Sequence, residues 1–175
     1  VEGTIPPDPA TEAVIASEQE RVKTLMTEVV GELREPLNLA DDRECAVGNL
    51  LADALLDRVR GAEIAFVISG LWETGLEAGP LTQGALYAAN RSAANPARVE
   101  VTGEQIEQFL RAGLIPENTA KTPKALRGRK MGLPHIAGMT VVYDPLDTSS
   151  LEVRVNGKPL EKDRRYIAAA TDFEL

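Results

Sequence analysis

Between positions 44 and 84 the apolar residues change rhythm twice. Val47, Leu50, Leu51, Ala54, Leu55 and Val59 recur at helical spacing and are predicted to share one face. Gly61 follows, where a left-handed residue ends a helix most easily. Ile64, Ala65, Phe66, Val67 and Ile68 then run without a polar break, as in a strand buried on both faces. That strand is predicted to be central and to stop at Ser69-Gly70. From 71 to 84 an irregular, Gly-bearing segment carries the single tryptophan, Trp72. A loop leaving a buried strand is a common place for a site.

Upstream, Asp8-Pro9 offers an N-cap acceptor and a proline at the first helical position. Ile15, Val22, Leu25 and Met26 then recur at helical spacing among charged residues, predicting a one-sided surface helix over 10–26. Residues 28–34 read as a strand ended by Glu35-Pro36, and 37–43 as a loop. Further on, 85–88 reads as a helical turn and 98–102 alternates as a strand. Thr102 is then placed to cap a helix over 103–112, with Glu104 and Glu107 near its start. Residues 113–133 lack periodicity; with no aromatic among Lys121, Lys124, Arg127, Arg129 and Lys130, they read as a solvated mobile loop rather than a nucleic-acid patch. Strands are expected over 139–143, 151–155 and 165–170, with turns at Asp144-Pro145 and Asn156-Gly157. The order implies an α+β fold: a single domain around one mixed sheet flanked by helices, with the first helix standing off. Residues 1–36 are read as a linker helix and first strand, and 37–175 as the domain proper.

Composition narrows the function. The chain has 175 residues, 27 acidic against 19 basic, a formal net charge of −8. That balance argues against nucleic acid or an anionic membrane as partner. No apolar run approaches the roughly 20 residues of a membrane span. The single cysteine, Cys45, rules out an internal disulfide and reads as a buried structural thiol. The chain begins at Val1 without a methionine, and reads as a piece of a longer protein. His135 is the only histidine, in what reads as a loop before a strand, with no identifiable nucleophile to pair with. A dinuclear metal centre needs several Asp, His and Asn ligands, and phosphate-cradling glycine motifs are absent. The residues by themselves give no recognisable catalytic machinery.

Glu44-Cys45-Ala46-Val47-Gly48-Asn49-Leu50 through Asp53-Ala54 resembles the E-S-x-L-G-N-L-x-x-D-A helix start of the C-terminal domain of 5'-nucleotidases. The stretch from Ala62-Glu63-Ile64-Ala65 to Ala78-Gly79-Pro80-Leu81-Thr82 is similar to that family's A-D-I-A…S-G-G-x-R…A-G-x-I-T. Val99 to Ile106, Gly138 to Asp144 and Val155 to Phe173 resemble three further family segments in order. The resemblance implies a domain that holds substrate for a metal-dependent phosphoester hydrolase. Catalysis and divalent metals would belong to an N-terminal metallophosphoesterase-like domain of the same chain, with no cofactor, metal ligand or catalytic residue in this part. It also implies export to the periplasm or cell surface, and a small-molecule phosphoester as ligand. A first helix bridging the two domains would follow too, an ordinary first helix being the other reading.

The family's pocket residues do not carry over intact. The arginine of S-G-G-x-R falls on Glu73, and the asparagine before S-G-G on Ile68. The base-stacking and base-bonding P-F-G-N falls on Arg91-Ser92-Ala93-Ala94. Phe173 matches the second stacking phenylalanine. Arg43 answers to an arginine upstream of the G-N-L helix, with Asp41 the alternative at a different spacing. Trp72 and Arg91 stand on the two pocket loops and are candidates for new contacts, packing against the sheet being the other reading of Trp72. The substrate-binding candidates are therefore Phe173, Arg43, Trp72 and Arg91. Two functions follow: a substrate-binding domain with a degenerate nucleotide pocket, or a structural or interaction domain that no longer binds nucleotides.

Overall fold

The computed structural model describes Pro6 and residues 8–90, 92–126, 129–144 and 146–174. In chain order its elements begin α1 (Pro9–Thr27), β1 (Val29–Leu33), α2 (Ala46–Arg58), β2 (Ile64–Ile68), β3 (Gly79–Thr82), α3 (Gln83–Ala89) and β4 (Pro96–Thr102). They continue with α4 (Gly103–Gly113), α5 (Pro116–Thr119), β5 (Pro134–Ala137), β6 (Met139–Asp144), β7 (Asp147–Val155), β8 (Lys158–Pro159) and β9 (Arg165–Thr171).

The central sheet has the order β4-β9-β2-β5. β2 runs parallel to β9 and antiparallel to β5, and β4 is antiparallel to β9, so the sheet is mixed. Every residue of β2 is buried and the strand is interior, as its apolar run predicts. Ile64 and Phe66 face α4 and the β6–β7 ribbon, packing with Ile106, Leu110, Val153 and Tyr166. Ala65 and Val67 face α2, packing with Ala52, Leu55 and Leu126. Phe66 also stacks on Phe109 with ring centroids 4.6 Å apart. The fold is α+β, with helices on both faces of one sheet.

Two antiparallel ribbons complete it, where the sequence suggested a single sheet: β1 with β3, and β6-β7-β8. The β7–β8 turn follows expectation, with Asn156 and Gly157 at φ 50° and 78°, the left-handed pair that suits a two-residue hairpin. β3 and β5 were missed in the sequence because each is short and carries a proline, which demotes a strand reading. Both stand where a proline is tolerated, β5 at the edge of its sheet and β3 in a two-stranded ribbon.

Two further readings need correction. On α2 the buried positions are Val47, Gly48, Ala52 and Leu55, while Leu50 is exposed. The helix packs across both β2 and β5, which turns its inner face by about one residue from the predicted one. The segment 113–133 is not a solvated loop: Leu126 is buried in the core, and its backbone bonds to Ser69–Gly70 through Leu133 and Met131. By contrast α1 follows its reading as a surface helix that stands off: it is capped by Asp8, which accepts from Thr11 N–H, and has no buried residue. Its apolar residues Val14, Ile15, Val22 and Leu25 stay exposed, and only Met26 is half-buried, beside Gly84 of α3. The Asp144-Pro145 turn falls partly outside the described residues, as does Arg127.

Candidate functional site

β2 and β9 are parallel and so end on the same side of the sheet, while antiparallel β4 begins there, with Pro96 opposite Thr171. Three loops are thereby gathered beyond the carboxyl ends of the parallel pair: 69–73, 92–95 and 172–174. Such a position favours a ligand site in α/β sheets. Gly70, Leu71, Glu73, Ser92, Ala93, Ala94 and Phe173 line one cleft of about 600 Å³ together with Asp172, Leu126 and Arg129.

The loops are tied to one another by hydrogen bonds. Asn95 donates from its backbone N–H to Asp172 Oδ1 (2.9 Å) and from Nδ2 to Asp172 Oδ2 (2.9 Å). Asp172 N–H returns a bond to Asn95 C=O at 3.0 Å. This clasp holds the Asp172 carboxyl below the usual carboxylate range, the Asn95 side chain being the main cause. Glu174 Oε1 accepts from Ile68 N–H at 3.2 Å, and its Oε2 accepts from Thr171 N–H at 2.8 Å. The turn carrying Phe173 is therefore fixed to the ends of both β2 and β9. Glu73 N–H bonds Ala89 C=O at 2.7 Å, setting the 69–73 loop against the end of α3.

Of the residues singled out in the sequence, the structure brings Phe173 to this cleft, partly exposed, with Glu73 and the 92–94 wall. It does not bring Trp72 there. Trp72 is 3% exposed and packs with Cys45, Val47, Leu76 and Ala89 in a third apolar cluster, beside a separate hollow that Met26 and Leu86 also line. Arg43 is also elsewhere, exposed beside Asp42, on the rim of a separate cleft of about 500 Å³ that includes Asn49, His135 and Tyr143. Asp41, the alternative to Arg43, lies near the cleft: it lines an adjoining hollow that shares Glu73 and Arg129. Arg91 falls outside the described residues. Sequence reasoning missed Arg129, because its segment lacked periodicity, and missed the Asn95–Asp172 clasp, because no local pattern links residues 77 positions apart.

His135 lies in edge strand β5, not in a loop, and is 2% exposed. Its Nε2 accepts from Cys45 N–H at 3.0 Å, and its Nδ1 meets Leu133 C=O at 3.1 Å. Burial pushes the imidazole below the ordinary histidine range. With both nitrogens held by backbone groups, this histidine is a brace between β5 and the start of α2. Cys45 is buried beside it as a free thiol. Among the described residues no three His, Cys, Asp or Glu side chains gather so as to hold a metal ion. The donor set of a dinuclear centre is thus not assembled from them. Nor is any described helix long and apolar enough to cross a membrane.

Comparison with known proteins agrees with this geometry. Residues 24–175 match the family model described as 5'-nucleotidase, C-terminal domain. A Bacillus subtilis protein described as the uncharacterized metallophosphoesterase YunD is 28% identical over 168 residues, covering 93% of this chain and 36% of the relative. The crystal structure of a 5'-nucleotidase precursor from Thermus thermophilus superposes with a TM-score of 0.70 at 21% identity, covering 97% of this chain and 34% of that one. The Thermus thermophilus sulfate thiohydrolase SoxB, in complex with glycerol, gives 0.71 at 22%, covering 96% and 31%. At these identities the two structures show the fold. The chain spans about a third of the length of each of these relatives.

Proposed function

The chain belongs to the 5'-nucleotidase C-terminal domain family, and from that premise we propose that it is the substrate-holding part of a longer metal-dependent phosphoester hydrolase with an altered nucleotide pocket. What supports the reading is one observation: Glu73, Ser92, Ala93, Ala94 and Phe173, five of the positions answering to the family's pocket residues, line a single cleft. A site retained in shape but changed in chemistry points to a different ligand. A nucleobase needs two aromatic faces, each worth roughly 1–3 kcal/mol of stacking. Here one face is Phe173 and the other wall is Ser92 to Ala94, while a carboxylate, Glu73, replaces a cation. One lost face and one reversed charge together remove on the order of 3 kcal/mol, over a hundredfold in affinity.

In this reading the divalent metals and the hydrolytic step reside on an N-terminal metallophosphoesterase-like domain, and the whole protein is exported to the periplasm or cell surface. The relatives' greater length and the metallophosphoesterase description of one of them support the first part. Calorimetric titration of the full-length protein with AMP and adenosine tests the pocket. Weak binding is expected for both; low-micromolar binding that Phe173→Ala destroys would show an intact nucleotide site. Should neither these nor any other phosphoester bind in a way that Phe173→Ala weakens, the domain is structural instead.

A further inference from the structure

Resting on that reading of the cleft, we propose that Arg129 is its ligand-contacting cation, and that the ligand presents an oxyanion to Arg129 and an apolar end to Phe173. Both residues line the same cleft, and Arg129 also lines the hollow beyond it. Its charge arrives from the segment 113–133, not from the loop after β2, where Glu73 now stands.

The hydrogen bonding of the half-buried Arg129 is incomplete for a structural cation. A guanidinium carries five donors in a fork suited to two-point contact with a carboxylate or phosphate. Here Nη2 lies 3.6 Å from Asp41 Oδ1, beyond hydrogen-bonding distance, and Nε is buried with no partner. Asp41 Oδ1 is likewise buried and unpartnered. A tight structural pair would close to about 2.7–2.9 Å and satisfy both atoms. The looser arrangement leaves the fork with donors to give and with a carboxylate that orients it.

The backbone that carries Arg129 is fixed. Arg129 N–H bonds Leu126 C=O at 2.9 Å, and the Leu126 side chain is in the core. Two residues on, Met131 N–H bonds Lys121 C=O at 2.7 Å and Met131 C=O accepts from Gly70 N–H at 3.0 Å. The cation is therefore tied to the strand end from which the Glu73 loop departs. Glu73 and Asp172 in the cleft and Asp41 and Glu77 in the hollow beyond it are the acids lining the two spaces, and an arriving anion competes with them. That competition favours a compact, highly charged oxyanion over a neutral polar group, and Phe173 favours one joined to a flat apolar body.

Calorimetric titration of the full-length protein with benzylphosphonate, phenylacetate and benzyl alcohol tests the assignment, with fluorescence of the buried Trp72 as a check on folding. The two anions are expected to bind, phosphonate or carboxylate first according to the natural ligand, and benzyl alcohol at least tenfold more weakly. Arg129→Gln should weaken the anions tenfold or more and leave benzyl alcohol unchanged. Arg129→Lys should recover part of the loss, and Asp41→Asn should tighten the anions. Unchanged anion binding in Arg129→Gln, or equal affinity for benzyl alcohol, overturns the proposal. If Phe173→Ala abolishes binding while Arg129→Gln does not, the cleft stands and only Arg129 falls. If no probe binds, or neither substitution matters, the cleft falls with it.

Discussion

Both ring nitrogens of His135 are committed to backbone groups, and the arrangement requires a neutral ring. Nε2 accepts from Cys45 N–H, so a proton on Nε2 would set two donors against each other. Burial lowers the folded-state pKa, and the charge of Glu44 opposes this only in part. Because the folded value lies below the unfolded one, the unfolded chain binds the proton more readily. The stability contributed by His135 is thus fully present above pH about 6.5, the ordinary histidine value. It declines as pH falls below that towards the folded pKa. Thermal unfolding at a series of pH values from 7.5 to 5.5 should show this fall, and His135→Gln, which keeps an acceptor but does not titrate, should show a flatter slope. Parallel slopes would mean that the histidine is not the titrating group. The same ring explains Gly48: a Cβ there would lie 2.3 Å from the imidazole carbons, and a ring bonded at both nitrogens has no room to yield. Gly48→Ala should destabilise by about 1–3 kcal/mol, as overpacked cores do. A urea midpoint unchanged from the parent chain would contradict this. The sequence offered a glycine and a histidine 87 positions apart, and nothing local to say they touch.

At the scale of elements, what was legible in the sequence follows from how much of each pattern is local. β2 was readable because strands buried on both faces are apolar throughout, and α4 because Thr102 and Gln105 form a capping box within four residues. The strand β5 was not, since its burial comes from pairing with β2 and from α2 above it, neither visible in Pro134-His135-Ile136-Ala137 itself. The site divides the same way. That Phe173 would reach the cleft was readable because its motif is contiguous, whereas the place of Arg129 there depends on a segment shaped by distant hydrogen bonds. The helix α1 shows that periodicity reports an apolar stripe without saying what covers it. None of its residues is buried, so it contributes little to the stability of the remainder. A chain starting at residue 24 should therefore unfold in urea with a midpoint close to that of the full chain. Leu55→Ala, by contrast, removes a core side chain of α2 and should cost about 2–5 kcal/mol. A truncation as damaging as Leu55→Ala would show that α1 is part of the fold after all.

For the whole molecule, the distribution of chemistry follows from which residues the fold gathers at one place. The cleft beyond β2, β9 and β4 gathers an aromatic face, two carboxylates and, from the segment 113–133, a guanidinium, groups of the kind that hold a ligand. It gathers no histidine, and the only one in the chain is buried between β5 and the start of α2 with both nitrogens engaged. Hydrolysis of a phosphoester near neutral pH calls for an activated water and charge stabilisation on the leaving oxygen, commonly from two metal ions. No described cluster of acids and histidine supplies these. The 175-residue chain by itself is accordingly expected to release no nitrophenolate from bis-p-nitrophenyl phosphate with added manganese, while the full-length protein does. In the full-length protein Phe173→Ala should raise KM several-fold on the preferred substrate and change kcat little, because in the proposed reading the ring holds the ligand's body away from the reacting bond. Turnover by the isolated chain that a point change within it abolishes would refute this division of labour. So would a kcat lost in Phe173→Ala at unchanged KM, since that would put the aromatic face in the transition state rather than in binding.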